Sequence, residues 1–258
     1  MTPTLPTDLQ VTEAGVPGAR TALVLHGGGG PRTVAPLVEH LATTHHFLAP
    51  THPGWDGTSR PADIDSVAAL AAAYLERLLV DGERDVVLIG SSIGGWIALE
   101  MAVQAAADDR YVGVVGAVVD VDGVGAVIEG EPIADFFALD ARGLAEVAWH
   151  DPDRGFVDPT VLTDQQRAVQ QSNGATMIAV AGRTMSDPTL MERLATVAVP
   201  TLVVFGESDR IVTPAYGRRV AAAVPGATFA EVPEAGHLPH LENPDATWRV
   251  LDPFLREH

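Results

Sequence analysis

The chain has 258 residues, 34 acidic against 16 basic side chains, a net charge of −18 and no cysteine. That length suits one domain with an insertion, and the missing cysteine excludes disulfides, thiolate metal sites and a cysteine nucleophile. Every basic residue is arginine, which excludes lysine Schiff-base chemistry, and so acidic a chain is not expected to track nucleic-acid phosphates.

The first twenty residues mix prolines and acids instead of a basic start followed by an apolar run, so they do not read as a secretory signal. No apolar stretch approaches a membrane span. The expectation is a soluble, cytoplasmic protein with no membrane or nucleic-acid partner; the oligomeric state stays open.

Short β-rich apolar runs follow at 21–25, 47–49, 86–89, 112–119, 201–205 and 228–232, with a possible antiparallel edge strand at 9–14. Continuous rather than alternating apolar strands predict a sheet covered on both faces. Helical patterns at 34–42, 67–79, 93–106, 216–224 and 246–255 lie between or after them. This alternation predicts an α/β fold, a doubly wound and mostly parallel sheet. It fails from about 123 to 199, where no clear strand is found and short helical patterns carry Phe136, Phe137, Trp149, Phe156, Met177 and Met185. The expected organisation is a core of 1–122 and 200–258 with a helical cap inserted at 123–199.

The most informative stretch is Gly90-Ser91-Ser92-Ile93-Gly94, a G-x-S-x-G between a buried strand and a helix. The chain must turn sharply there, holding a serine hydroxyl exposed above a helix N-terminus. Ser92 is the central residue; Ser91 is its neighbour and rival, expected to make a local hydrogen bond. A phosphate-binding glycine loop is the alternative reading of this stretch.

Upstream, His26-Gly27-Gly28-Gly29-Gly30 follows a strand. A serine attacking a carbonyl creates an oxyanion, and a glycine loop lets backbone N–H groups approach it. Gly28 and Ile93 are the expected donors, with Gly29 competing for the first place. Pro31 and the lack of a clean G-x-G-x-x-G argue against a dinucleotide turn. His26 is read as a brace of this loop.

A serine nucleophile also needs a base, and the base an orienting carboxylate. Asp209 lies just past a buried strand, with Glu207 and Asp120 as rivals for the acid. His237 lies in the loop after the last strand and is the expected base; His240 is read as supporting or surface. No cofactor or metal is called for.

These segments together resemble the α/β-hydrolase superfamily. Pro53-Gly54-Trp55-Asp56-Gly57-Thr58-Ser59 resembles its P-G-x-G-x-S loop, with Asp56 set before the second glycine. Asp209 followed by Pro214, and Gly236-His237 followed by Glu242-Asn243-Pro244, resemble its acid and base segments. The resemblance implies a Ser92–His237–Asp209 triad, a cap over the site and a small ester-type substrate, with lactone or thioester hydrolysis close by. Relatives that cleave carbon–carbon bonds often carry tryptophan directly after the histidine, where this chain has Leu238. A non-catalytic receptor on the same fold is the alternative outside the enzymes.

Overall fold

A computed structural model describes residues 3–258. The strands are β1 (Val11–Gly15), β2 (Thr21–Leu25), β3 (His46–Pro50), β4 (Val86–Ser91), β5 (Val115–Val121), β6 (Gly125–Ala126), β7 (Ser186–Asp187), β8 (Thr201–Gly206) and β9 (Thr228–Val232). The helices are α1 (Ala35–Leu41), α2 (Val67–Val80), α3 (Ile93–Ala107), α4 (Ala141–Ala148), α5 (Pro152–Gly155), α6 (Asp164–Ala181), α7 (Leu190–Arg193), α8 (Pro214–Ala223), α9 (Pro239–Glu242) and α10 (Pro244–Glu257).

Seven strands form one sheet in the order β1-β3-β2-β4-β5-β8-β9. β1 runs antiparallel to β3, and the other pairs are parallel. Side chains alternate across the strands and sort into two cores. Leu23, Leu25, Val86, Leu88, Val203 and Phe205 pack with α2, α3 and α8. Ala22, Val24, Val87, Ile89, Leu202 and Val204 pack with α1 and α10 on the other face. Each Val, Leu, Ile or Phe side chain among them contributes about 1.5–3 kcal/mol when taken from water, so burial on both faces explains why these strands read as continuous apolar runs.

The chain leaves β2 for β3 on one side and returns to β4 on the other. Loops after β2 and β4 therefore diverge and open a crevice at the carboxyl ends of the strands. The loops after β8 and β9 reach the same edge.

Two expectations need correction. The strand expected at 112–119 begins three residues later and ends at Val121, because Gly113 turns the chain at φ 74° and leaves Val112 71% exposed. The segment 123–199 was expected to lack strands, yet it holds β6 and β7, a two-residue parallel pair. Tyr216 pins that pair: its hydroxyl accepts the Ala126 N–H at 2.6 Å and donates to the Ala126 carbonyl at 3.2 Å. Otherwise the segment is helical, α4 to α7, and contributes no strand to the main sheet among the described residues. A partly buried ion pair ties it to α3, with Arg193 Nη1 donating to both Glu100 oxygens at 2.9 and 2.8 Å. No helix among the described residues is long and apolar enough to cross a membrane.

Candidate active site

At the β4–α3 junction Ser92 takes φ 57° and ψ −120°, a strained conformation for a residue with a Cβ. Close approach explains its glycine neighbours. A Cβ on Gly90 would lie 2.0 Å from the Gly94 carbonyl, and one on Gly94 would lie 2.1 Å from the Leu25 carbonyl. The Ser92 N–H donates to the Val121 carbonyl at 2.9 Å, which ties the turn to β5. Ser91 ends β4 fully buried, and its hydroxyl has no partner, contrary to the local hydrogen bond expected of it. Of the two serines, Ser92 is the partly exposed one.

The structure brings Ser92, His237 and Asp209 into one hydrogen-bonded chain. Ser92 Oγ donates to His237 Nε2 at 2.9 Å, and His237 Nδ1 donates to Asp209 Oδ2 at 2.7 Å. The carboxylate can only accept, so the proton must sit on Nδ1 and the lone pair on Nε2. Asp209 Oδ1 accepts the N–H groups of Ile211 at 2.8 Å and Val212 at 3.2 Å. Asp209 thus accepts three hydrogen bonds, which hold its carboxyl in one orientation.

The glycine loop lies beside the serine, since a Cβ on Gly27 would sit 3.3 Å from Ser92 Cβ. Among the described residues the Gly28 N–H has no acceptor, and the Ile93 N–H is the first of α3. Trp55 Nε1 holds the loop by donating to the Gly28 carbonyl at 3.0 Å. His26 and His52 brace it from beneath. His26 Nε2 accepts the His52 N–H at 3.0 Å, so its proton is on Nδ1, which donates to the Gly27 carbonyl at 2.7 Å. His52 Nε2 donates to the His26 carbonyl at 3.1 Å while its Nδ1 accepts from the Tyr74 hydroxyl at 2.7 Å. Burial pulls His26 down to about 4, favouring its neutral, bracing form.

The rival residues fall elsewhere. Glu207 is exposed, and its Oε2 accepts the Glu234 N–H at 3.0 Å. His240 is fully buried, not on the surface; its Nε2 donates to the Thr33 carbonyl at 2.7 Å, and burial pulls it down to about 4. Asp120 was expected at the strand's end but lies inside β5 under Gly95 and Gly123. Its carboxyl finds no well-aligned donor, and burial pushes it up to about 7.

The residue at that edge is Asp122, which sequence reasoning passed over. Asp122 adopts φ 49°, is fully buried and accepts the Gly206 N–H on Oδ1 at 2.9 Å. Burial first, then the Asp209 charge, holds its carboxyl well above the usual range. Its signal was the acid two positions after Asp120, hidden by placing the strand early. Asp122, Asp209 and His237 also make up the one grouping among the described residues with metal-ligand spacing, all within 4.8 Å. Both Asp209 oxygens and His237 Nδ1 are already joined in hydrogen bonds, so the set does not suit an ion.

The 123–199 segment makes further contacts with the site. The Ala148 carbonyl, at the end of α4, accepts the His237 N–H at 2.7 Å. Glu242 bridges the same junction, accepting the Gly236 N–H at 2.7 Å and the His150 N–H at 2.8 Å. On α6, Asn173 pairs with Asp56 through two hydrogen bonds of 2.8 and 2.9 Å, and Thr176 donates to the Gly54 carbonyl at 2.9 Å. Met177 follows on that helix, and a Cβ on Gly28 would be 2.4 Å from its sulfur. Of the aromatics, Phe136 and Phe137 are half-buried against the core, whereas Phe156 is 37% exposed.

A doubly wound sheet with a strained serine at a strand–helix turn and a buried histidine–carboxylate pair beside it defines a hydrolase-type fold. A model of the alpha/beta hydrolase family matches residues 22–250, and the chain belongs to that family. A polyketide synthase from Burkholderia thailandensis is 28% identical over 94% of this chain. The dihydrolipoyllysine-residue acetyltransferase component of the acetoin cleaving system of Cupriavidus necator is 29% identical over 87% of it. The chain spans 12% of the first of these proteins and 60% of the second. Among solved structures, the enol-lactonase from Burkholderia xenovorans superposes with a TM-score of 0.73 at 20% identity, covering 96% of each chain.

Proposed function

We propose that this chain is a serine hydrolase cleaving small or medium uncharged carboxylic esters, lactones or thioesters through an acyl-enzyme. The observation that carries this reading is the unbroken hydrogen-bonded chain from Ser92 Oγ through His237 to Asp209. His237 Nε2 takes the hydroxyl proton as Oγ attacks the carbonyl carbon, and Asp209 stabilises the resulting imidazolium. The tetrahedral oxyanion lies between the N–H groups of Gly28 and Ile93, at the positive end of α3. His237 then gives the proton to the leaving oxygen or sulfur, and water repeats the sequence to release the acid.

In this reading the segment 123–199 is a cap. Its α4 end holds the base loop and its α6 holds the Pro53–Ser59 loop, whose Trp55 in turn holds the glycine loop. Met177 on α6 roofs the oxyanion corner, which limits the bulk an acyl group can present there. An apolar roof excludes water and suits an uncharged acyl chain.

The test is turnover of p-nitrophenyl acetate through hexanoate, with labelling by a fluorophosphonate. Ser92→Ala should abolish labelling and lower kcat by roughly 10⁴-fold or more. Retained activity in Ser92→Ala, with Ser91→Ala inactive, would overturn the assignment.

A further inference from the structure

Two carboxyl groups are buried side by side at the floor of this site, and their donors are unequally shared. Asp209 receives three hydrogen bonds, from His237 Nδ1 and the N–H groups of Ile211 and Val212. Asp122 receives one, from the Gly206 N–H on Oδ1, and no donor reaches its Oδ2. Both residues are buried, Asp122 at 0% and Asp209 at 2% exposure. Two adjacent buried carboxylates cannot both ionise at modest cost, and the better-solvated one keeps the charge. Donor counting leaves Asp122 as the carboxyl that holds a proton. A buried oxygen without a donor is satisfied only by carrying a proton itself.

We infer that Asp122 is a positioning residue that remains protonated and donates its O–H to the Asp209 carboxylate. It thereby fixes the carboxylate plane that orients His237. The inference rests on the proposed Ser92–His237–Asp209 relay; Asp122 lies outside that relay, acts through Asp209 and never touches substrate. The left-handed backbone at Asp122, φ 49°, turns its side chain under the loop that follows β8. Its own N–H donates to the Val204 carbonyl at 2.8 Å, which holds that turn against β8. The titratable groups facing it are Asp209 from the loop after β8, His237 beyond it, and Asp120 from β5.

Loss of the Asp122 proton at alkaline pH places a second negative charge beside Asp209 and removes its donor. Turnover should therefore fall reversibly on the alkaline side. Asp122→Asn keeps a neutral donor and an acceptor for Gly206, and asparagine tolerates φ above zero. It should keep kcat within about threefold of wild type at neutral pH and lose the alkaline fall. Asp122→Ala should lower kcat by about 10–100-fold, the scale known for hydrogen-bond partners that orient metal-ligating side chains. Asp120→Asn, which removes the other raised carboxyl, should leave the alkaline fall in place.

A second readout does not need activity. The infrared carbonyl stretch of a protonated carboxylic acid, recorded at pH 8, should be present in wild type and reduced in Asp122→Asn. The inference is overturned if that band is unchanged, if the two pH profiles superimpose, or if Asp122→Asn is as inactive as Asp209→Asn. Persistent turnover in Ser92→Ala would instead refute the serine mechanism, leaving the infrared result to decide the protonation of Asp122.

Discussion

Replacing Asp209 by asparagine exchanges one oxygen for an NH2 group, and its neighbours dictate which one. The N–H groups of Ile211 and Val212 both point at Oδ1. An NH2 placed there would leave two buried donors facing a third, so the amide oxygen must stay on that side. The NH2 then replaces Oδ2, which lies 2.7 Å from His237 Nδ1. A donor on that side forces His237 to move its proton to Nε2, where it faces Ser92 Oγ and can no longer accept. The fold is retained, because the volume and the two backbone hydrogen bonds survive. The expected loss in kcat is roughly 10⁴-fold, or about 5 kcal/mol of transition-state stabilisation. The assay is p-nitrophenyl acetate hydrolysis alongside circular dichroism and a thermal melt. A folded Asp209→Asn with kcat within about tenfold of wild type would refute the tautomer argument. If Asp122→Asn were then inactive, the orienting role would belong to the edge of β5.

Met177→Ala should open the oxyanion corner and shift preference from acetate toward hexanoate by about 1–3 kcal/mol, since apolar pockets discriminate weakly. An unchanged chain-length profile with a lowered melting temperature would mean that Met177 serves packing alone. Asp120, pushed from 3.8 up to about 7 by burial, binds its proton more tightly folded than unfolded. The stability it contributes is full below the unfolded value and is lost as pH rises through about 7. Asp120→Asn should therefore gain on wild type progressively between about pH 4 and pH 7, with a limit on the order of 4 kcal/mol. Melting curves that differ by a constant amount across that range would refute it.

Features that depend on local order were legible in the residues alone. Apolar runs buried on both faces marked the strands, and helical spacing marked the layers. Gly90 and Gly94 marked the turn because their contacts, the Gly94 and Leu25 carbonyls, leave no room for a Cβ. The placing of Asp209 and His237 after successive strands was equally legible, because parallel strands deliver their following loops to one edge. Register was not. Val112 is as apolar as the strand it precedes, so the start of β5 was misplaced by three residues. That slip put Asp120 at the edge and hid Asp122, since only pairing with β4 and β8 decides where a strand ends. The grip of the 123–199 segment was also invisible. Asn173 and Asp56, or Glu242 and His150, lie far apart in the chain, and nothing in either segment alone indicates the other. Burial was equally out of reach of the residues alone: only the packing of β5 against the loop after β8 takes Asp122 and Asp209 out of solvent together.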